Sequence, residues 1–253
     1  MKPPPRTPAG SSRVTDPPLS TRGNLLLRSL PEAEIARLRP HLKVATTRLG
    51  EELHCRRDSD PDVFFPVDTV SALVLEGPDG SGVEVASVGH EGMVGLPAFV
   101  DSEIVDFKAF TQVAGTGFRM PRRILKRELA ANGKFAEHLD EYTEVLLLCV
   151  GQSAFCGRKH RQLERCARWL LSIHDRVPRR EFAVTQEFLA QMLGVRRATV
   201  TEAVQGMKKR GFISTVRGSL RILDPEGLRS IACDCYRSIR SEFDALKREW
   251  NNS

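Results

Sequence analysis

The sequence predicts an α+β protein with an N-terminal antiparallel β-roll of the jelly-roll type, a long dimerisation helix and a C-terminal winged helix-turn-helix. Three observations predict this order: short β-type runs over residues 43–120, an apolar helical stretch from residue 134, and two helices joined by a tight turn over residues 185–211. The chain has 253 residues, of which 41% are apolar, so it is long enough for two compact units with cores of their own.

The N-terminal segment is rich in proline, serine, threonine and glycine and has almost no large apolar side chains. Such a segment cannot bury enough surface to offset its loss of conformational entropy, so we expect a disordered tail over residues 1–23. Its basic residues could bind DNA weakly, although a flexible terminus without a binding role is the simpler interpretation.

A β-roll is predicted within a domain of residues 24–133. A short helical pair is expected at its start, over residues 24–42, with Pro31 beginning a helix. From residue 43, apolar runs alternate with Gly, Pro and Asp at a spacing of about 8–12 residues, which is typical of an antiparallel sandwich or barrel, and roughly eight strands fit. The clearest strands are VFFPV, TVSALVLE, VEVASV and IVDFKAFTQV, with turns at residues 77–82 and 89–92.

A long helix is predicted over residues 134–157. One set of its residues recurs in steps of three and four, as in a heptad seam, and further apolar residues flank this seam. A helix that is apolar on several sides needs cover from its own β-roll and from a second chain; the alternative is a single helix buried in one core. We expect the domain boundary near Gly157, followed by a further helix. The seam residues are Leu139, Tyr142, Leu146, Cys149, Ser153 and Cys156.

The winged helix-turn-helix is predicted over residues 158–224. Thr185 can cap its first short helix, and Gly194 supplies the open backbone that a sharp turn needs before a second helix from about Arg196. The alternative is a helical hairpin inside an ordinary core with a solvated basic face. The residues expected to be buried are Phe188, Leu189, Met192 and Leu193 in the first helix, and Val200, Val204 and Met207 in the second.

A two-stranded hairpin is expected directly after these helices, over residues 212–223. Arg217 and Gly218 lie at its tip, where a wing can donate hydrogen bonds to phosphate. A final amphipathic helix is predicted from about Pro225 to Leu246, within a C-terminal segment of residues 225–253.

Charge is distributed unevenly along the chain. Residues 41–110 contain 13 acidic side chains and 5 Lys or Arg, whereas residues 158–221 contain 15 Lys or Arg and 5 acidic side chains. This contrast indicates a nucleic-acid partner for the C-terminal half only. We find no pattern of a signal peptide or membrane span, so we expect a soluble and, in a bacterium, cytoplasmic protein. We expect free thiols at Cys55, Cys149, Cys156, Cys166, Cys233 and Cys235.

The order of β-roll, long apolar helix and winged helix-turn-helix resembles the Crp/Fnr family of bacterial transcription regulators. The resemblance is strongest in LERCARWLL, in TQEFLAQMLGVRRATV and in KKRGFIS with the wing that follows. It implies a homodimer on a palindromic DNA site, a cyclic-nucleotide-binding-like sensor domain that responds to an unknown small-molecule or redox effector, and RNA polymerase as a candidate partner. Two-fold symmetry places the two recognition helices about 34 Å apart, one DNA turn.

The DNA-contacting residues are carried over from this resemblance by position. Arg197 matches the arginine that reads guanine, whereas Ala198 and Glu202 depart from the glutamate and second arginine of the cyclic-AMP-responsive members. The operator is therefore expected to differ from theirs. Glu202 could accept from cytosine N4 or pair with a lysine of its own helix. The full candidate set is Thr185, Gln186, Arg196, Arg197, Thr199, Thr201, Glu202 and Arg217.

The sensor residues match the family poorly. Met93 stands in place of the glutamate of the cyclic-nucleotide cassette. No arginine follows it before Arg119, and Lys108 is the only nearby cation. A phosphate pocket that lacks its arginine loses a bidentate partner, so we predict no tight binding of cyclic AMP. No cofactor and no metal site are predicted. The tail has no cysteines for an iron–sulfur cluster, the adjacent His54 and Cys55 are weak evidence for haem, and Cys156 with His160 makes only a two-residue set.

Two functional classes besides a DNA-binding regulator remain to be separated. The first is a small-molecule-binding regulatory module whose helix-turn-helix mediates protein contacts. The second is an enzyme, but the sequence offers no nucleophile–base pair or metal set that would support catalysis, so we expect no enzymatic activity.

Overall fold

The computed structural model describes residues 23–54, 62–95, 107–216 and 218–252, and the predicted tail lies outside these residues except for Gly23. The predicted fold class is confirmed: antiparallel sheets come first, a long helix follows, and a winged helix-turn-helix lies in the C-terminal half.

The N-terminal half forms a β-roll of two antiparallel sheets. One sheet has the order β1-β7-β3 and the other β2-β6-β4-β5. The predicted runs lie in β3 to β6, and the described residues contain seven strands in this half of the chain. The strands are β1 (Lys43–Thr47), β2 (Glu52–His54), β3 (Val63–Pro66), β4 (Val70–Glu76), β5 (Gly82–Val88), β6 (Phe107–Val113) and β7 (Gly115–Met120).

Two short helices, α1 (Leu25–Arg28) and α2 (Glu32–Leu38), precede the roll and are followed by a 3-10 turn at Arg39–His41. The Asn24 amide nitrogen donates to the carbonyls of Pro66 (3.0 Å) and Gly92 (2.6 Å), and its side-chain oxygen caps α1. Buried hydrogen bonds therefore hold the N-terminal end of the described residues, with the first helix of the predicted pair, against the roll.

A helix α3 (Arg122–Ala130) and the long helix α4 (Lys134–Lys159) follow the roll. A carboxylate from α2 caps the long helix: Glu34 accepts from the backbone N–H of Lys134 (3.0 Å) and of Phe135 (2.9 Å). The helix continues through Gly157, where a domain boundary was expected, and ends at Lys159. The next residue, His160, has an extended backbone. Arg158 and Lys159 favour this later end because cations stabilise the last turn of a helix.

The C-terminal half differs from the sequence prediction in two details. The wing is a three-stranded sheet of order β8-β10-β9, because the short strand β8 (Glu181–Ala183) pairs with β10. The single predicted final helix is two helices, because the backbone is extended at Ala232 and the chain turns before Cys235. The remaining elements are α5 (Gln162–His174), α6 (Gln186–Leu193), α7 (Arg197–Lys209), β9 (Ile213–Val216), β10 (Ser219–Ile222), α8 (Pro225–Ile231) and α9 (Cys235–Asn252).

The two halves share a hydrophobic core. Strand β4 is buried on both faces: Leu73 packs in the core of the roll, whereas Val70 and Val74 pack in the same cluster as the helix-turn-helix. Phe110 of β6 meets Phe188 of α6 edge to face, with ring centroids 6.0 Å apart. The helix-turn-helix therefore rests directly on one sheet of its own roll. Within the described ranges, every helix is too short or too polar to cross a membrane.

Candidate DNA-binding surface

The turn between α6 and α7 has the backbone that the sequence predicted. Thr185 caps α6 by accepting from the backbone N–H of Phe188 (3.1 Å). Gly194 ends the helix in the left-handed region, at φ 65° and ψ 40°, which an L residue with a side chain adopts only with strain. This turn sets the angle at which the second helix leaves the first.

The second helix of the pair, α7, begins at Arg197, with Arg196 as its N-cap residue. Both arginine side chains are exposed, and the Arg197 side chain retains 69% of its accessible surface. Its Nε lies 3.8 Å from a carboxylate oxygen of Glu187, which is itself exposed. An exposed ion pair of this length is weak, so the guanidinium can turn towards a ligand at little cost. As predicted, Val200, Val204 and Met207 are buried, and Ala203 joins them.

Two of the candidate polar residues bind to each other. The Thr201 hydroxyl lies 2.7 Å from the side-chain oxygen of Gln186 and 3.1 Å from the backbone carbonyl of Arg197. This contact ties the start of α6 to the first turns of α7. Thr199 is half-buried and Glu202 is exposed, on the same end of the helix as the two arginines.

The wing lies beside the start of α6. The backbone carbonyl of Gly218 accepts from the N–H of Val184 (2.9 Å), and Gly218 has φ +83°. Arg217, the predicted phosphate contact, lies outside the described residues. Val216 next to it is exposed, and Gly218 lies close to the side chain of Thr185. The wing therefore borders the start of α6.

Of the roll segment that matches a cyclic-nucleotide cassette, residues 89–95 and 107–110 are described, and the turn at Gly92 is packed against protein side chains. Met93 is fully buried, and a Cβ atom on Gly92 would overlap the ring of Tyr142 from the long helix. Lys108, the nearest cation, lies 2.6 Å from a carboxylate oxygen of Glu76. The turn is therefore closed against α4, and the lysine is already paired.

A buried ion pair joins this turn to the C-terminal half of the chain, and sequence reasoning missed it. The Arg176 Nε donates to Glu91 at 2.6 Å, and both side chains are less than a tenth exposed. Burial acts to raise the pKa of Glu91, but the charge and hydrogen bond of Arg176 outweigh it and hold the pKa below its ordinary value. The residues are 85 positions apart, so neither periodicity nor motif spacing could have paired them.

A second polar contact crosses the same junction. The Trp169 indole N–H donates to Glu84 of β5 at 2.8 Å, and Ser87 also donates to this carboxylate. Burial raises the pKa of Glu84 despite these hydrogen bonds. The contact fixes α5 against the edge of the roll.

The long helix has an outer face that the described residues leave uncovered. The predicted seam faces inward: Leu139, Tyr142 and Leu146 are buried against the roll. Cys149 and Cys156 are also buried within the chain, on the side of the helix opposite its exposed apolar residues. The outer face carries large apolar side chains with high exposure, namely Leu147 (72%), Leu148 (43%) and Phe155 (50%).

The interpretation of Cys156 and His160 as an isolated pair is wrong. Cys233 and Cys235, from the link between α8 and α9, complete a group of four side chains whose ligand atoms all lie within 4.8 Å of one another. Sequence spacing could not reveal it, because Cys156 and Cys233 are 77 positions apart.

The comparisons with known proteins agree with this geometry. The family described as the Crp-like helix-turn-helix domain matches residues 164–231. No curated protein sequence matches the chain. The fold is similar to a Crp/Fnr family transcriptional regulator from Eubacterium rectale, with a TM-score of 0.63 and 18% identity over 81% of this chain and 96% of that one.

Two further solved structures have the same fold. FixK2 from Bradyrhizobium japonicum gives a TM-score of 0.59 and 14% identity over 76% of this chain and 98% of its own. A CRP family transcriptional regulator from Thermus thermophilus, TTHB099, gives 0.58 and 18% over 75% of this chain and 96% of its own. Residues 164–231 thus match the Crp-like helix-turn-helix domain family, and the chain has the fold of solved structures of Crp/Fnr transcriptional regulators.

Proposed function

We propose that the protein is a sequence-specific DNA-binding transcriptional regulator of the Crp/Fnr type that acts as a homodimer on a palindromic operator. The observation that carries this proposal is the exposure of Arg196 and Arg197 at the N-terminal end of α7, within the family-matched domain. That end of the second helix of a helix-turn-helix enters the major groove, where an arginine fork fits the O6 and N7 acceptors of guanine.

The candidate residues divide by the part of DNA that they would contact. We assign base reading to Arg197, with Glu202 as a second reader of cytosine N4. Arg196 and Thr199 border the groove and would position the helix on phosphate. Gln186 and Thr201 would contact the DNA backbone, and the hydrogen bond between them would hold α6 to α7. Thr185 and Arg217 would contact phosphate from the start of α6 and from the wing.

The outer face of α4 supplies the proposed dimer contact. Leu147, Leu148 and Phe155 form an apolar stripe around Gly151, where an added Cβ would meet no atom of the described residues within 4 Å. A large exposed apolar stripe on a helix marks an interaction surface, and a glycine in it permits two helices to approach closely. A second copy of α4 in parallel alignment would cover this stripe and place two recognition helices on one face of the dimer.

The sensor domain is proposed not to respond to cyclic AMP. Met93 offers no carboxylate, Lys108 is paired with Glu76, and the ring of Tyr142 closes the turn at Gly92. An effector of another chemical class is expected. A DNA-binding role further implies a cytoplasmic location in a bacterium and RNA polymerase as a candidate partner, with no enzymatic step.

The test is enrichment of bound sequences from a random duplex pool, followed by binding measurements at increasing salt. We expect a palindromic consensus with half-sites about 10 base pairs apart, and an affinity that falls steeply with salt because the basic surface displaces counterions. Absence of DNA binding, or binding insensitive to salt, would instead support a regulatory module whose helix-turn-helix contacts protein. Calorimetric titration with cyclic AMP tests the sensor proposal separately, and micromolar affinity would refute it.

A further inference from the structure

Four metal-binding side chains meet where the long helix ends. Cys156 lies in the last turns of α4 and His160 directly after its end, whereas Cys233 and Cys235 flank Asp234 at the start of α9. The three cysteines are buried and His160 is half-buried. The four ligand atoms all lie within 4.8 Å of one another.

The distances suit one ion at the centre of the group. The Sγ atoms of Cys156 and Cys233 are 3.5 Å apart, and Cys235 Sγ lies 3.4 Å from His160 Nδ1. In a tetrahedral zinc site, bonds of about 2.3 Å to sulfur and about 2.0 Å to nitrogen place neighbouring ligand atoms roughly 3.5–3.8 Å apart. The two close pairs already have this spacing, and the longest separation needs to shorten by only about 1 Å.

We propose that Cys156, His160, Cys233 and Cys235 bind one Zn²⁺ as a structural Cys₃His site. Thiolate and imidazole donors select a soft or borderline ion such as zinc over magnesium or calcium, which prefer oxygen. Four protein ligands fill a tetrahedral shell and leave no position for water or substrate, so the ion holds segments of the chain together rather than performing catalysis.

The surroundings favour such a centre. The Gln152 side-chain amide donates to Cys235 Sγ at 3.0 Å, which is the kind of outer hydrogen bond that orients a metal ligand. The guanidinium of Arg168 lies near enough to interact with the sulfur atoms of Cys156 and Cys233. Three thiolates, a neutral imidazole and Zn²⁺ leave one net negative charge, which the guanidinium of Arg168 partly balances.

The site would connect two parts of the molecule that the family domain leaves separate. The matched domain covers residues 164–231, so all four ligands lie outside it, two just before its start and two just after its end. From this point α9 runs back along α4, where Trp250 stacks on His138 with ring centroids 4.6 Å apart. Its first turn also reaches α5, because the Tyr236 hydroxyl donates to Asp175 at 2.7 Å. Zinc would thus fasten the start of α9 to the end of the proposed dimer helix.

The experiment measures metal in the full chain purified under reductant. We expect about one zinc per chain by elemental analysis. Co²⁺ added to chelator-stripped protein is expected to give a thiolate charge-transfer band and the intense visible bands of tetrahedral cobalt. Removing zinc is expected to lower Tm by roughly 5–10 °C, and adding zinc back is expected to restore it. These measurements use the wild-type chain and do not depend on the folding of any variant.

Variants then assign the ligands. Cys233→Ser and His160→Ala are expected to lose zinc, whereas His160→Cys, which offers a fourth thiolate, is expected to retain it. Cys166→Ser is the matched control, because Cys166 is a fully buried thiol in the other core cluster and outside the group of four. Circular dichroism checks that each variant is folded.

Four results would overturn the proposal. The first is a reduced wild-type chain that contains no stoichiometric zinc and takes up no Co²⁺, and the second is zinc that stays bound in a folded Cys233→Ser variant. The third is a visible iron–sulfur spectrum in the isolated protein. The fourth is a Cys156–Cys233 disulfide that forms on oxidation in a chain that never binds metal under reductant. The last would assign the cysteines to redox chemistry instead.

Discussion

At the scale of single residues, the proposed recognition of a DNA sequence depends on Arg197. Its side chain is exposed in the first turn of α7 and lies 3.8 Å from the carboxylate of Glu187. We expect Arg197→Ala to weaken binding to the selected operator by about 1–3 kcal/mol, roughly 5- to 150-fold, while weak non-specific binding persists. A gel shift with operator and scrambled duplex measures both affinities.

The control for this variant removes the same charge elsewhere. Arg248 is exposed near the end of α9, so Arg248→Ala is expected to leave the specificity ratio unchanged. If Arg197→Ala weakened operator and scrambled duplex equally, Arg197 would be a phosphate contact and base reading would have to come from another residue.

Glu91 and Arg176 make the second residue-scale prediction, which concerns stability. Glu91→Gln leaves the buried guanidinium of Arg176 without its charge partner, and breaking a buried pair on one side costs about 3–5 kcal/mol of unfolding free energy. Urea unfolding at pH 7 measures this loss. Glu137→Gln is the matched control, because its pair with Lys134 is exposed and little change is expected.

The same pair predicts a pH dependence with a definite sign. The pKa of Glu91 is lowered in the folded chain, so its contribution is fully present above the ordinary glutamate pKa of about 4.3 and is lost as the pH falls through the lower folded value. The difference in unfolding free energy between wild type and Glu91→Gln should therefore be constant from about pH 6 to 8 and shrink below about pH 4.5. A difference that grew on acidification would contradict this assignment.

At the scale of single elements, the outer face of α4 makes the dimer testable. Leu148→Lys with Phe155→Lys places two charges on the exposed apolar stripe without touching the core of the chain. We expect these charges to convert the dimer into a folded monomer, because burying an unpaired cation in an interface costs several kcal/mol. Sedimentation velocity measures the oligomeric state, and operator affinity should fall with it.

The control places lysine on an apolar residue of similar exposure. Val44 lies on β1 and is 40% exposed, so Val44→Lys is expected to remain dimeric. Dimers that persist in the double lysine variant would move the subunit contact to a different element.

The elements themselves could be predicted from the sequence to different degrees. The helix-turn-helix was predictable because a cap at Thr185, a glycine turn and a helical stripe are all local patterns. Strand β8 was not, since Phe182 is the one buried residue among three and gives no periodicity. The inward face of α4 was ambiguous, because a helix with apolar residues on most sides does not reveal which side packs within the chain.

At the scale of the whole molecule, the contacts that join the two halves were beyond sequence reasoning. Glu91 with Arg176 and Glu84 with Trp169 each pair residues 85 positions apart, and the cysteine–histidine group gathers ligands from two segments. Local spacing carries no information about such pairs. The predicted fold class was confirmed because it depends on element order, whereas the junction depends on how the folded elements meet.

This junction leads to a prediction about how the whole chain unfolds. Phe110 and Val74 of the roll belong to the same buried cluster as Phe188 and Leu189 of the helix-turn-helix, so neither half has a complete core alone. Separate domains with a small polar interface would unfold independently, but a shared apolar core couples them. We therefore expect a single calorimetric transition, with the two halves losing structure at the same temperature.

The coupling can be weakened at one residue to check its cause. Phe110→Ser removes the ring that contacts Phe188 while leaving the roll-facing side of β6, such as Ala109, unchanged. The variant is expected to lose about 3–5 kcal/mol and to separate the single transition into two, with the helix-turn-helix unfolding independently of the roll. Two transitions in the wild-type protein would mean instead that the halves are autonomous domains. The buried pairs at their junction would then add contacts between the halves without making them unfold as one unit.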